Sequence, residues 1–176
     1  MLIAGALAGT IDNVHASVAQ TTNSLDVVRA SATCAYARFQ GVLLVNWRQR
    51  VLLDDVKGLV ACRDQMIKGE FFGAIHMSEP GLPLPDEACR RFARRSMEKR
   101  PDQRSAIALV IFGNGFGASA VRSLGTAIFA LRSGPPTRLF AEAMEAASWL
   151  GEESGGRLDV QKVAAACQEL RGIGLR

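Results

Sequence analysis

The stretch that most constrains the fold is an apolar run followed at once by a glycine-rich turn and a helical pattern. The run Ser105–Phe112 is unbroken and has the length of a strand, as expected in a sheet that is covered on both faces. Gly113, Gly115 and Gly117 mark the turn. Behind the turn, apolar residues recur at helical spacing at Val121, Leu124, Ile128 and Leu131. A strand followed directly by a helix predicts a βα unit, and therefore an α/β protein with a mostly parallel sheet.

Length and composition limit the classes of protein to which the chain can belong. Its 176 residues, 48% of them hydrophobic and 22% charged, suit one globular domain with some terminal additions. The net charge of +4 is only a mild excess for a protein that binds nucleic acid. The cysteines form no CxxC pair, which predicts buried free thiols at Cys34, Cys62, Cys89 and Cys167. The chain has no apolar run of about 18 residues and no basic region before its apolar start, so we expect a cytoplasmic protein without a membrane span.

Patterns typical of strands and helices alternate along the chain. Two apolar strands over 35–40 and 42–47 flank Gly41, which predicts an antiparallel hairpin. The elements expected after the hairpin are a helix over 53–68, a strand over 71–77, a proline-rich loop over 78–85, a helix over 86–99, the strand and helix described above, a strand over 137–141, a helix over 142–151 and a final helix capped by Asp159. The order β-β-α-β-α-β-α-β-α predicts a mixed, mostly parallel sheet opened by a β-hairpin, with an extra helix at each end.

The first part of the chain carries an apolar stripe of its own. Apolar residues follow one another at steps of three and four, as in an amphipathic helix, at Ile3, Leu7, Ile11, Val14 and Val18. This stripe leaves open a helix on its own domain, a loosely ordered extension or a dimerisation helix, and two heptads are too few to predict a coiled coil. Leu25, Val27 and Val28 predict another short turn of helix, with Ser24 as its cap.

Four segments resemble a known family. They are GVLLVNWR at 41–48, EPGLPLPD at 79–86, AVRS at 120–123, and PTRLFA at 136–141 together with EAASWL at 145–150. In this order of elements they resemble the STAS fold of bacterial anti-sigma-factor antagonists, and more closely the STAS-like single-domain proteins of myxobacteria. The resemblance implies a STAS-like domain over 34–151, flanked by a helical extension over 1–33 and by a linker with a C-terminal helix over 152–176. It also implies a signalling role through protein binding rather than a reaction.

The chain departs from this family at the position of its regulatory serine. In phospho-regulated STAS antagonists an Asp-Ser-Ser/Ala-Gly type of motif opens the helix after the third strand, and its serine is the switch. Here the corresponding stretch is Met77-Ser78-Glu79-Pro80, without the aspartate and without a small-residue helix start. Ser78 is the only hydroxyl between the strand and the helix, which makes it the candidate phosphorylation site.

Positive charge is concentrated on the predicted helix over 86–99 and just after it. The basic residues are Arg90, Arg91, Arg94, Arg95, Lys99, Arg100 and Arg104. The ordinary interpretation is a solvated face, because charged residues normally remain outside. The functional interpretation is a docking surface for an acidic partner protein, formed by Ser78, Glu79 and the first four of these arginines. No aromatic residues alternate with the arginines, so we expect no nucleic-acid partner.

Motifs that carry chemistry are few. Gly113, Gly115 and Gly117 lie where backbone amides can bind an anion, although the simpler interpretation of these glycines is a tight turn. His76 could act with Ser78 or Cys89, but no nucleophile-elbow motif supports that arrangement. No histidines or carboxylates have the spacing of metal ligands. We therefore expect no enzyme, no catalytic residue, no metal and no cofactor. The alternative to protein binding is a domain that holds an apolar or anionic small molecule between sheet and helices.

Overall fold

The computed structural model describes residues 24–67, 72–79, 81–98, 105–113 and 134–174. Within these residues a six-stranded mixed sheet carries helices on both faces. The strands are β1 (Asp26–Ala30), β2 (Cys34–Phe39), β3 (Val42–Trp47), β4 (Phe72–Ser78), β5 (Ser105–Ile111) and β6 (Thr137–Phe140). The helices are α1 (Leu53–Met66), α2 (Glu87–Glu98), α3 (Ala143–Glu153) and α4 (Val160–Gly172). The α/β class expected from the sequence is confirmed.

The order of the strands across the sheet is their order in the chain. β1 and β3 are both antiparallel to β2, whereas the pairs β3–β4, β4–β5 and β5–β6 are parallel. The turn between β2 and β3 places Gln40 and Gly41 at φ values of 47° and 78°, which a tight hairpin turn requires. The predicted hairpin around Gly41 is therefore confirmed.

Each face of the sheet is covered by two of the described helices. On β3, Val42 and Leu44 belong to the core under α3 and α4, whereas Leu43 and Val45 belong to the core under α1 and α2. A strand buried on both faces has no polar side to expose, which is why β3 is apolar almost throughout. α1 approaches the sheet closely, because a Cβ atom at Gly58 would lie 2.7 Å from the Tyr36 hydroxyl oxygen.

β1 corrects one prediction from the sequence. The expected helical turn over Leu25–Val28, capped by Ser24, is wrong, because the chain there forms a strand paired with β2. All five residues of β1 are exposed, so the strand lies at the margin of both cores and shows no buried period in its sequence. β5 also differs from the expectation of burial on both faces. Val110 is fully buried, whereas Ile111 is only partly buried.

α4 is part of the main core in the described structure. Its buried side chains Val163, Cys167 and Leu170 pack in the same cluster as strands β2 to β5 and helix α3. The predicted cap is confirmed, since the Asp159 carboxylate accepts a hydrogen bond from the Lys162 amide at 3.2 Å. This bond lowers the pKa of Asp159.

Several predictions lie outside the described residues. These are the apolar stripe over 3–18, the helix behind the glycine turn, and the residues Lys99, Arg100, Arg104, Gly115 and Gly117. Among the helices that the structure describes, none is long and apolar enough to cross a membrane.

Candidate functional site

α2 presents the predicted arginines to solvent. Cys89 is buried, and Phe92 and Ala93 pack against the core under α1 and α2. The opposite side of the helix exposes Arg90, Arg91, Arg94 and Arg95, which we call the basic face. The helix therefore has a buried apolar side and an exposed basic side, as its amphipathic pattern predicts.

The start of α2 is fixed by Asp86. Its carboxylate accepts a hydrogen bond from the backbone amide of Cys89 at 2.8 Å, as a helix cap does. This bond lowers the pKa of Asp86 and keeps its side chain ionised. The cap lies at the end of the proline-containing loop, and it sets where the helix and its basic face begin.

Arg90 and Arg91 of the basic face keep most of their positive charge unneutralised. Arg91 Nη1 lies 3.6 Å from Glu87 Oε1, and both side chains are more than half exposed. Arg90 Nη1 donates to the carbonyl oxygen of Pro85 at 2.8 Å, which neutralises no charge. Because exposed ion pairs contribute little, these two arginines keep an outward positive field.

Ser78 and Glu79 lie at the end of β4 but are directed differently. Along β4, Ala74 faces α1 and α2 and Met77 faces α3 and α4, so alternation places Ser78 on the side of α2. Glu79 instead binds Arg171 of α4 with two contacts, Nε to Oε1 at 3.0 Å and Nη2 to Oε2 at 3.1 Å. The structure thus brings Ser78 to the face that carries α2, and engages Glu79 on the other face.

His76 lies in a neutral, structural arrangement. Its Nδ1 atom accepts a hydrogen bond from Trp47 Nε1 at 3.3 Å, and the two rings are stacked with centroids 6.3 Å apart. Removal from water lowers the pKa of His76 to about 4. The ring is therefore uncharged at neutral pH, and its Nδ1 lone pair is already engaged.

Cys89, the other thiol considered for chemistry, is not activated. Its Sγ donates to the carbonyl oxygen of Val51 at 3.7 Å. Burial, followed by the hydrogen bond with Asp86, raises the pKa of the Cys89 thiol, whereas a nucleophilic thiol needs a lowered pKa. All four cysteines are buried and free, as the sequence predicted.

A buried carboxylate was missed by the sequence analysis. Asp55 is 0% exposed, and its Oδ2 accepts a hydrogen bond from the Thr33 hydroxyl at 2.7 Å. Arg29 Nη2 lies 2.9 Å from Oδ1 in ionic contact, without the alignment of a hydrogen bond. Burial of the neighbouring Cys34 thiol, with the Asp55 charge as second cause, raises the pKa of that thiol to about 12. Asp55 thus ties α1 to β1 and to the connection before β2.

α4 contacts the residues that follow the carboxyl ends of β4 and β5, on one face of the sheet. The Arg171 guanidinium lies 3.7 Å from the centroid of the Phe112 ring, in addition to its contacts with Glu79. Arg48 donates to the carbonyl oxygens of Ser31 and Ile173. Gly113 lies just beyond β5 at φ 128°, a conformation that favours glycine. It is the one member of the predicted anion site that lies within the described residues.

An open groove runs between β6 and α3. Its volume is about 560 Å³. Phe140 and Trp149 form its floor, with ring centroids 5.6 Å apart, and Arg138 lies over the Trp149 ring at 5.4 Å. Sequence analysis missed the groove because its walls come from two elements that only the folded chain brings together. It is open to solvent, whereas a small-molecule carrier of the kind considered above would enclose its ligand.

In the described part of the chain, no group of three His, Cys, Asp or Glu side chains is placed to hold a metal ion. No protein-family model matches the sequence. No curated protein and no solved structure is significantly similar to it.

Proposed function

We propose that the protein is a non-enzymatic, STAS-like regulatory module of the bacterial cytoplasm that acts by binding another protein. The observation that carries this proposal is the basic face, where Arg90, Arg91, Arg94 and Arg95 are all exposed on one helix. The other side of that helix is anchored in the core, so the four charges are held on a rigid support. A cationic patch of this kind attracts an acidic protein surface and accelerates encounter.

Two further observations support a binding role in the cytoplasm. His76 is neutral and hydrogen-bonded, and Cys89 is held as a thiol, so neither group is prepared for acid–base or nucleophilic chemistry. The four buried free cysteines are typical of a reducing compartment. The regulatory part of the proposal rests on the resemblance of four sequence segments to STAS-like proteins.

The test begins with recovery of the partner from the native cell by affinity purification and mass spectrometry. The purified partner is then titrated with the wild type and with the double variant Arg91→Glu/Arg95→Glu. We expect affinity to fall about tenfold at low salt, because two attractive charges become repulsive. The difference should shrink as salt rises, since exposed charges are screened over about 8 Å at physiological ionic strength.

A matched control separates docking from overall charge. The variant Arg50→Glu/Lys162→Glu makes the same change in net charge at exposed positions outside α2. It should bind nearly as well as the wild type, and both double variants should keep the wild-type circular dichroism spectrum. A partner that bound the wild type and Arg91→Glu/Arg95→Glu equally at low salt would refute the basic face as the docking surface.

Ser78 offers a companion test of regulation. It lies on the same side of the sheet as α2 and is partly buried. Ser78→Glu adds negative charge on this side, as phosphorylation would, and should weaken binding of an acidic partner. Ser78→Ala is the neutral control and should leave affinity unchanged. Equal affinities for the two variants would remove Ser78 from the proposed mechanism.

A further inference from the structure

Among the strands that the structure describes, β6 pairs on one side only, with β5. It is the last strand in the order of the described sheet. The Ile107 amide donates to the Pro136 carbonyl oxygen at 2.8 Å, so that carbonyl points toward β5. Backbone groups of successive residues alternate in direction. The amides and carbonyls of Arg138 and Phe140 therefore also point toward β5. The amides and carbonyls of Thr137 and Leu139 point away from β5, along the outer edge of the sheet.

The groove lies beside this edge, on the face that carries α3. Phe140 and Trp149 give it an apolar floor, and Met144 remains 41% exposed beside them. Trp149 is 4% exposed, yet its Nε1 atom has no hydrogen-bond acceptor among the described residues. A buried indole N–H without a hydrogen-bond acceptor is uncommon in a well-packed protein core. An apolar floor next to free backbone groups is what a bound strand would cover.

The charge of α3 defines the kind of strand that fits. The helix and its cap carry four glutamates and no basic residue, namely Glu142, Glu145, Glu152 and Glu153. Of these, Glu145 and Glu152 line the groove together with Ser148, and they outnumber its one basic lining residue, Arg138, which lies over the Trp149 ring. Seven positions apart on a helix, they lie on one side of α3 at a separation of about 10 Å. Side chains on one face of a strand repeat every ~7 Å, so two long basic side chains of an added strand can reach both carboxylates.

We propose that this groove binds an extended, lysine- or arginine-containing segment of a partner protein, which pairs as an added strand with β6. The backbone groups of Thr137 and Leu139 would supply the main-chain hydrogen bonds, while Glu145 and Glu152 would select basic side chains. The site lies on the face opposite α2, and its two glutamates outweigh its one arginine, so its net charge is negative. It therefore takes a different class of partner from the basic face, and the protein can bridge an acidic and a basic partner.

The probe is a short synthetic peptide of alternating Lys and Val residues, titrated into the full chain and followed by NMR. We expect the largest shifts at the Thr137 and Leu139 amides and at the Trp149 indole N–H. Glu145→Gln/Glu152→Gln should weaken binding about fivefold, a size typical of two exposed ion pairs. Glu142→Gln/Glu153→Gln is the matched control, because it removes the same charge from the same helix outside the groove, and it should bind like the wild type.

Two changes to the peptide test the mode of binding without altering the protein. Replacing every Lys with Glu should abolish the shifts at β6, since the carboxylates of α3 repel it. Methylation of every backbone nitrogen removes the donors needed for strand pairing and should also abolish them.

Four results would overturn the proposal. The first is an absence of shifts at β6 with the Lys–Val peptide. The second is an equal loss of affinity in the two double variants, which would show a general electrostatic effect. The third is undiminished binding of the N-methylated peptide. The fourth is concentration-dependent dimerisation that shifts the β6 amides without peptide, since a second copy would then occupy the groove.

Discussion

Asp55 lies in the first turn of α1, where a carboxylate favours the helix dipole and is ordinarily exposed. In this protein the side chain is fully buried and holds Thr33 and Arg29. A buried carboxylate is costly to desolvate, so it remains stable only because both oxygens meet a donor or a positive charge. Asp55 therefore connects α1 to β1 and to the segment before β2, and does more than favour the start of the helix.

We predict that Asp55→Ala lowers the free energy of unfolding by about 3 kcal/mol, because it leaves Thr33 and Arg29 without their shared acceptor. Urea denaturation followed by circular dichroism measures the change. Asp54→Ala is the matched control, since Asp54 is the preceding residue, its side chain is 85% exposed, and it pairs only at the surface with Lys57. This control should cost less than about 1 kcal/mol. Equal losses in the two variants would show that the buried contacts of Asp55 contribute nothing.

His76 makes stability depend on pH in a defined direction. Burial lowers its pKa from 6.5 to about 4, so the unfolded chain takes up a proton before the folded one does. The stabilisation is fully present above about pH 6.5 and is lost progressively as the pH falls toward 4. We predict a loss of about 2 kcal/mol from this residue between about pH 7 and pH 5.

The measurement compares wild type with His76→Phe, which cannot take up the proton. Urea denaturation at both pH values gives the free energy of unfolding of each protein. His76→Phe should lose about 2 kcal/mol less than the wild type over the same interval. A direct check is NMR titration in a His15→Gln background, where the His76 ring should stay neutral down to about pH 5. A ring that titrates near 6.5 would contradict the prediction.

At the scale of the elements, sequence pattern was sufficient where burial fills a whole strand or follows the period of a helix. The strand β3 and the turn at Gly41 are visible because every side chain of β3 is buried and the turn needs a positive φ. The exposure of the basic face followed in the same way from helical spacing. These features depend on residues that are close in sequence, so a local sequence pattern is enough to predict them.

Features that depend on distant residues could not be predicted. β1 is exposed on both faces, so Val27 and Val28 gave no signal of the pairing with β2 that makes them a strand. The pair Glu79–Arg171 joins residues 92 positions apart, and nothing local distinguishes either residue from a solvated charge. The groove depends on the same kind of information, because β6 and α3 look like ordinary short elements until they pack. Tertiary contact decides these cases and overrides local propensity.

At the scale of the whole molecule, the chain separates charge across its sheet. α2 carries four arginines and two glutamates on one face, whereas α3 with its cap carries four glutamates and no basic residue on the other. A net charge of +4 conceals this arrangement, since it reports only the difference between the two signs.

At the same scale, α4 covers part of the hydrophobic core. Its residues Val163, Cys167 and Leu170 are 0% exposed, and Arg171 and the backbone of Ile173 bind the sheet side through Glu79 and Arg48. The end of the described chain thus contacts strands β2 and β3 from its beginning. The late helix therefore covers apolar side chains of these early strands.

We predict that a chain ending at Gly155, which lacks α4, does not reach the native state, because the apolar surface under the helix is left in water. Near-UV circular dichroism should lose its native signal, and a hydrophobic dye should bind. The point variant Leu170→Ala gives a graded test and should lower the free energy of unfolding by about 3 kcal/mol, as expected for a cavity in a packed core. Gln161→Ala, at an exposed position of the same helix, should change it by less than about 0.5 kcal/mol. A truncated chain with native spectra and cooperative unfolding would show that the sheet and its other helices fold without α4.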